Sequence, residues 1–261
     1  YCSPSSILSA GRSNRLRSGW IAMSLRIDHA VIAVKNLDQA VQDYRDLGFN
    51  VIRNSRLADP ARCARIYQRW AHYIELMQVD GKRVGREGLV RYALRTDDIE
   101  AEAGRLRATG IKTGEITLGE YIRPDGKLIQ WKWVTIEDQF APFLIQDVTP
   151  SKLRFPGDAG LMEHLNSLSY LSGIETTVTL PSIDHYAHLF GEEPRIIESP
   201  TQHEILFLDG SIIIPTRPKA SSAPGMLIAL RMTGRESLKY FDLYNLTRTH
   251  GVNFQLYLDE Y

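Results

Sequence analysis

RIDHAVIAVKNLDQAVQDYRDLGFNVIRN runs from Arg26 to Asn54. Its first nine residues, RIDHAVIAV, are rich in branched side chains at Val31, Ile32 and Val34 and read as a β-strand. KNLDQAVQDYRDLGF then sets Leu37, Val41, Tyr44 and Leu47 on one helical face. Gly48 closes that helix, because glycine enters the left-handed conformation of a helix C-terminus without a Cβ clash. A strand restarts over Phe49 to Ile52, and RCARIYQRW and AHYIELMQV supply two more. The unit is β-α-β-β-β.

The unit recurs. From Leu89, VRYALRTDD reads as strand and IEAEAGRLRATG as helix. Ile99, Ala103, Leu106 and Gly110 repeat Leu37, Val41, Tyr44 and Gly48 at one constant offset. KLIQWKWVTI and APFLIQDV give the last two strands of this second copy. A third copy begins near Gly173, with ETTVTL as strand, PSIDHYAHLFG as a shorter helix and EILFLDGSIIIP as a hairpin turning at Asp209-Gly210. A fourth opens with MLIALRM, continues as a helix from about Glu236 to His250, and its HGVNFQLYL echoes LGFNVIRN. Repeats in a fixed order predict an α+β fold of paired βαβββ modules. The Pro/Gly-bearing stretch SKLRFPGDAG, within Pro150 to Gly160, reads as a linker between tandem domains at 25–150 and 151–261. The second domain is expected to be a degenerate copy that supports the first or forms an interface.

Residues 1–24 stand apart: Arg12, Arg15 and Arg17 occur there and no acidic residue precedes Asp28. This tail reads as a tag, translated upstream sequence before Met23, or a targeting segment. Over the whole chain, Lys+Arg and Asp+Glu are both 31, so no net charge draws it to nucleic acid or to an anionic membrane. No apolar run approaches the length that spans a bilayer. The two cysteines, Cys2 and Cys63, do not make a disulfide framework, and the chain reads as cytoplasmic. A Gly-rich phosphate loop, a Cys-x-x-Cys pair and a Gly-x-Ser-x-Gly elbow are all absent from the sequence.

Some residues carry chemistry in their own right. Strand alternation puts His29, Val31 and Ala33 on one face. Glu75, between Ile74 and Leu76, is costly to bury without a metal, an arginine or water, and Tyr73 and Met77 share its face. RPDG is a turn that delivers Arg123 to a strand end, and the following strand carries Trp131 and Trp133 on one face. Two aromatics beside an arginine suit a planar or carboxylate-bearing small molecule; core packing beside a surface arginine is the plainer alternative.

The segments DHAVIAVKNLDQAV, YIELMQV, ALRTDDIEA, RPDGKLIQWKW, APFLIQ and EHLN resemble the vicinal-oxygen-chelate superfamily, in its glyoxalase-like branch with the glyoxalases, bleomycin-resistance proteins and extradiol dioxygenases. The resemblance covers about residues 25 to 261. It implies that paired modules curl mixed sheets around a cavity, where a divalent metal (Zn, Fe, Ni or Mn) is commonly bound. By resemblance the ligand positions are His29 and Glu75 in the first module, and Arg91 and Gln146 in the second. Arg91 cannot ligate a metal, so the implied set reduces to His29, Glu75 and Gln146, with Glu75 also the proton-transfer group. Alternatively Arg91 replaces the metal and pairs with Glu75. Glu175 stands in the register of His29, His164 and Asn166 echo a structural linker motif, and His185, His188 and His203 are expected at the surface.

Three functions follow. One is a divalent-metal-dependent lyase, isomerase or dioxygenase acting on a small organic substrate. The second is a metal-free small-molecule (drug or metabolite) binding protein, in which Trp131, Trp133 and Arg123 do the work and Glu75 is charge-paired; the substrate-binding positions as a whole are Arg91, Arg123, Trp131, Trp133 and Tyr73. The third is a non-catalytic partner-binding protein. The expected partner is a small molecule, and a homodimer is left open.

Overall fold

A computed structural model describes residues 25–53, 63–79, 87–123, 125–137, 142–155, 157–176, 189–190, 195–199, 202–207, 210–215, 227–234 and 242–258. The tail of residues 1–24, most of the third-copy helix with His185 and His188, and the Asp209 turn lie outside them.

The first module comprises β1 (Arg26–Val34), α1 (Leu37–Asp46), β2 (Ile52–Arg53), β3 (Cys63–Gln68) and β4 (His72–Gln78). The second comprises β5 (Gly88–Arg95), α2 (Ile99–Ala108), β6 (Thr117–Ile122), β7 (Leu128–Thr135) and β8 (Phe143–Asp147). Both helices start where the sequence supplies a cap. Asn36 accepts a hydrogen bond from the Gln39 N–H at 3.2 Å, and Asp98 from the Ala101 N–H at 2.9 Å. Both end at a left-handed glycine, Gly48 (φ 87°) and Gly110 (φ 83°). Their buried faces are Leu37, Ala40, Val41 and Tyr44 in α1, and Ile99, Ala103 and Leu106 with Glu102 in α2.

The eight strands form one sheet in the order β2-β3-β4-β1-β5-β8-β7-β6. Each module places its last strand parallel to its first, β1 with β4 and β5 with β8, and the modules meet where β1 runs antiparallel to β5. The sheet is strongly curled. Arg65 on β3 lies 5.9 Å from the Tyr121 ring on β6, although five strands stand between them in the sheet order. In a flat sheet those strands would be roughly 29 Å apart.

The second half repeats the plan with β9 (Leu168–Thr176), β10 (Arg195–Glu198), β11 (Gln202–Phe207), β12 (Gly210–Pro215), β13 (Leu227–Gly234) and β14 (Asn253–Leu258). Their order is β10-β11-β12-β9-β13-β14. β9 begins at Leu168, earlier than the sequence reading near Gly173. The expected fourth helix is not continuous, because the described residues 242–251 form turns, and β14 then pairs directly and in parallel with β13. His203 is half-buried within β11, not at the surface before a strand.

Of two apolar clusters among the described residues, the smaller gathers Tyr67, Tyr73 and Phe155, and the larger spans both sheets, from Ile27, Ile32 and Tyr44 to Leu171, Leu230 and Phe254. Tyr44 sits at its centre and donates its hydroxyl to the Thr249 carbonyl at 3.0 Å. The connection between the sheets is locked by His164 and Asn166. The Asn50 N–H reaches His164 Nδ1 at 3.0 Å, which leaves His164 Nε2 to donate to the Tyr67 carbonyl at 3.0 Å. Asn166 donates to the Leu47 carbonyl at 2.9 Å. No helix among the described residues is long and apolar enough to cross a membrane.

Burial pushes the His164 pKa down to about 4, only partly opposed by its bond to the Tyr67 carbonyl. In an unfolded chain histidine titrates near 6.5. The unfolded chain therefore takes up this proton first, so the contribution of neutral His164 is complete above about pH 6.5 and is lost as pH falls toward 4. Urea unfolding at pH 7 and pH 5 should show the wild type losing about 2 kcal/mol more than His164→Gln over that interval. Equal losses would contradict a neutral buried imidazole.

Candidate functional site

The concave face of the first sheet carries a cavity of about 210 Å³. Its lining follows from register. On β4, Tyr73, Glu75 and Met77 stand opposite Tyr67, Arg65 and Cys63 of β3, and Tyr73 stands opposite His29 of β1. On the far side, Trp131 and Trp133 of β7 stand opposite Asp147 and Ile145 of β8. All of these except Tyr67 and Asp147 line the cavity, joined by Tyr121, Phe143 and Arg154. Trp131 lies across Gly119, where its indole leaves no room for a Cβ, and meets Tyr121 edge-on at 6.0 Å.

At the base of the cavity β1 is irregular. Ile27 pairs with Leu94 and His29 with Ala93, so Asp28 is an extra residue in the ladder. Such a bulge re-aims the side chains beside it. Asp28 is fully buried and its carboxylate accepts from three sources. His29 Nδ1 lies at 2.6 Å, Arg154 Nη1 at 2.7 Å and Arg154 Nη2 at 2.6 Å. Arg154, from the linker, also donates to Asp147 through Nε at 2.8 Å and Nη2 at 3.1 Å. Burial by itself would push Asp28 up, but the charge and hydrogen bonds of Arg154, with those of His29, hold it well below the usual carboxylate range. His29 is 3% exposed, stacks on Tyr73 at 4.3 Å and meets Phe143 edge-on at 5.3 Å.

A second arginine stands across the cavity. Arg65 donates from Nε to Glu75 at 3.2 Å, and its guanidinium lies 5.1 Å from the Tyr73 ring. Burial pushes the Tyr73 hydroxyl pKa up, against the opposing charges of Arg65 and Arg154, so Tyr73 is a neutral phenol at physiological pH.

Of the residues singled out from sequence, His29, Glu75, Tyr73, Trp131 and Trp133 are brought together here. Gln146 is not. It lies one residue from cavity-lining Ile145, on the opposite face of β8. There its Oε1 accepts from the Ile99 N–H at 3.1 Å and its Nε2 donates to the Asp97 carbonyl at 2.7 Å. The amide is committed to the start of α2, whose first N–H groups lack helical partners. Arg91 is exposed on β5 and outside the cavity lining, and Glu75 pairs with Arg65 rather than with Arg91. Arg123 donates to the Leu153 carbonyl at 2.7 Å and pairs with Asp125 at 3.3 Å, bracing the linker instead of facing a ligand. Glu175 is buried in the second sheet and accepts from Gln255.

Sequence reasoning missed Arg65, Asp28, Arg154 and Tyr121. Arg65 carried the signal that picked out Glu75, a charge among the apolar residues of a strand. Arg154 gave none, since a linker arginine is ordinarily solvated.

A glyoxalase-like domain family matches residues 27–183, and the chain belongs to that family. No curated protein sequence matches it. Among solved structures it is similar to a hypothetical protein from Staphylococcus aureus, at 14% identity and TM-score 0.69, over 90% of this chain and 100% of that one. It is also similar to the 2,3-dioxygenase LapB from Pseudomonas sp. KL28, at 14% identity and TM-score 0.58, over 92% and 93%. A third is the Mn(II)-bound glyoxalase from Novosphingobium aromaticivorans, at 11% identity and TM-score 0.54, over 91% and 89%. At these identities the likeness is one of fold.

Removing the Asp28 charge should expose how much the site depends on it. Asp28→Asn leaves a buried guanidinium short of one of its two carboxylates, and should lower stability by about 3 to 5 kcal/mol in urea unfolding. A loss under about 1 kcal/mol would mean that Arg154 is solvated or held elsewhere.

Proposed function

We propose that this glyoxalase-like protein binds a small planar organic molecule on its concave sheet, through aromatic and arginine contacts and without a divalent metal. The observation that carries the reading is the pairing of Glu75 with buried Arg65, which places a cation against one oxygen of the carboxylate that a metal would need. Trp131, Trp133, Tyr73 and Phe143 supply flat apolar walls, and such pockets hold their ligands chiefly by burial with a few polar anchors.

The metal-dependent alternative draws on the similarity in fold to a 2,3-dioxygenase and a Mn(II)-bound glyoxalase. Here the donor set does not fit that role. His29 has its Nδ1 on Asp28, an arrangement that orients metal-ligating histidines elsewhere. Yet Gln146 faces away and Glu75 is paired with the Arg65 cation, which a metal ion would have to displace or tolerate. No group of three or more His, Cys, Asp or Glu residues among the described residues could hold a metal ion. In this reading Glu75 positions Arg65, and His29 packs on Tyr73 at the cavity base.

Elemental analysis after incubation with Zn, Fe, Ni and Mn salts tests the choice. The purified protein and Glu75→Ala should both contain well under one equivalent of metal. One equivalent in the wild type that is lost in Glu75→Ala would overturn the reading and restore a metal-dependent lyase, isomerase or dioxygenase.

A further inference from the structure

Two buried arginines line the cavity, and they are partnered differently. Arg154 carries a carboxylate at each end of its guanidinium, Asp28 at the Nη edge and Asp147 at the Nε edge. Arg65 carries one, Glu75, on Nε alone. Its Nη1 is buried and has no hydrogen-bond acceptor. The residue is 7% exposed, and its guanidinium is flanked by Tyr73 at 5.1 Å and Tyr121 at 5.9 Å. Both rings stand close to the cation, and the Tyr121 hydroxyl is also a hydrogen-bond partner of Arg65, yet Nη1 itself has no acceptor. A buried charged donor without an acceptor is among the costlier features a fold can keep, and this one belongs to a cavity-lining side chain.

We propose that the ligand is an aromatic or planar carboxylate, its carboxylate received by Arg65 at Nη1 and its ring placed against Trp131 and Trp133. This rests on the small-molecule reading above and specifies its ligand class. The rigid guanidinium fork suits a carboxylate, and Arg154 demonstrates within the same cavity that one guanidinium holds two carboxylates. Glu75 fixes Nε and Tyr121 is a second hydrogen-bond partner, so Nη1 is the donor left to read the ligand. A cavity of about 210 Å³ has room for one or two fused rings.

Calorimetric titration at pH 7 with benzoate, 2-naphthoate and indole-3-acetate, each beside its primary amide, tests the assignment. The amides keep the ring and one carbonyl but lose the charge and the second acceptor. The wild type should bind at least one acid tenfold or more tightly than its amide. Arg91→Gln, changed at an exposed position outside the cavity, should keep that preference. Arg65→Gln should reduce it to under threefold, and Arg65→Lys, which keeps the charge without the fork, should fall between. Should the Arg65 variants not fold, the acid–amide comparison in the wild type and Arg91→Gln decides the matter by itself. Equal binding of acid and amide would overturn the carboxylate assignment while leaving the planar-molecule reading intact. Binding of neither form of any probe would overturn both.

Discussion

The ion pair between Asp28 and Arg154 ties together parts of the chain that are far apart in sequence. Asp28 belongs to the strand that opens the first module, and Arg154 to the linker that follows the second. Asp147, at the end of β8, completes the bridge. Two charges taken out of water do not stabilise a fold by their mutual attraction alone, because desolvation offsets much of it. What the network contributes is placement. It holds the bulge in β1, draws the linker across the base of the curled sheet, and seats His29 against Tyr73. The cavity is bounded by these contacts, so its shape depends on them.

The second sheet has a different part. It repeats the strand order of the first around β9 and β13, and its apolar residues merge with those of the first sheet in one core. The contacts that join them are specific as well as apolar. Arg105 donates to the Leu189 carbonyl at 2.8 Å, and His250 lies between Asp43 and Glu87 at 3.2 and 3.1 Å. With the outer face of the first sheet buried this way, its inner face is left to form the site.

Much of this was legible in the sequence, for physical reasons that differ by residue. The helix faces of Leu37-Val41-Tyr44 and Ile99-Ala103-Leu106 repeat at a constant offset, and each helix ends at a glycine with positive φ. Alternation put Trp131 and Trp133 on one face of their strand, and the curl of the sheet brings both to the cavity that His29 lines. Asp28 was not picked out, because a bulge breaks the period of two and no local residue type announces one. Gln146 was placed by its position in a family pattern, whereas its neighbours decide its role: one residue along from Ile145, it faces a helix N-terminus that needs an acceptor. The fourth helix, from about Glu236 to His250, was expected from its place in the repeat, and its described part is a series of turns. Arg65 and Arg154 acquire their meaning from partners many residues away, information that a linear pattern does not hold.

The relation between Glu75 and Arg65 decides between a metal centre and an arginine-read pocket on the same fold. A crystal structure of the protein grown with both Mn(II) and 2-naphthoate would put the alternatives in competition at one site. The expected result is the naphthoate carboxylate within hydrogen-bonding distance of Arg65 Nη1, its rings against Trp131 and Trp133, and the Glu75–Arg65 pair intact. A metal ion between His29 and Glu75, with Arg65 displaced from the carboxylate, would contradict it.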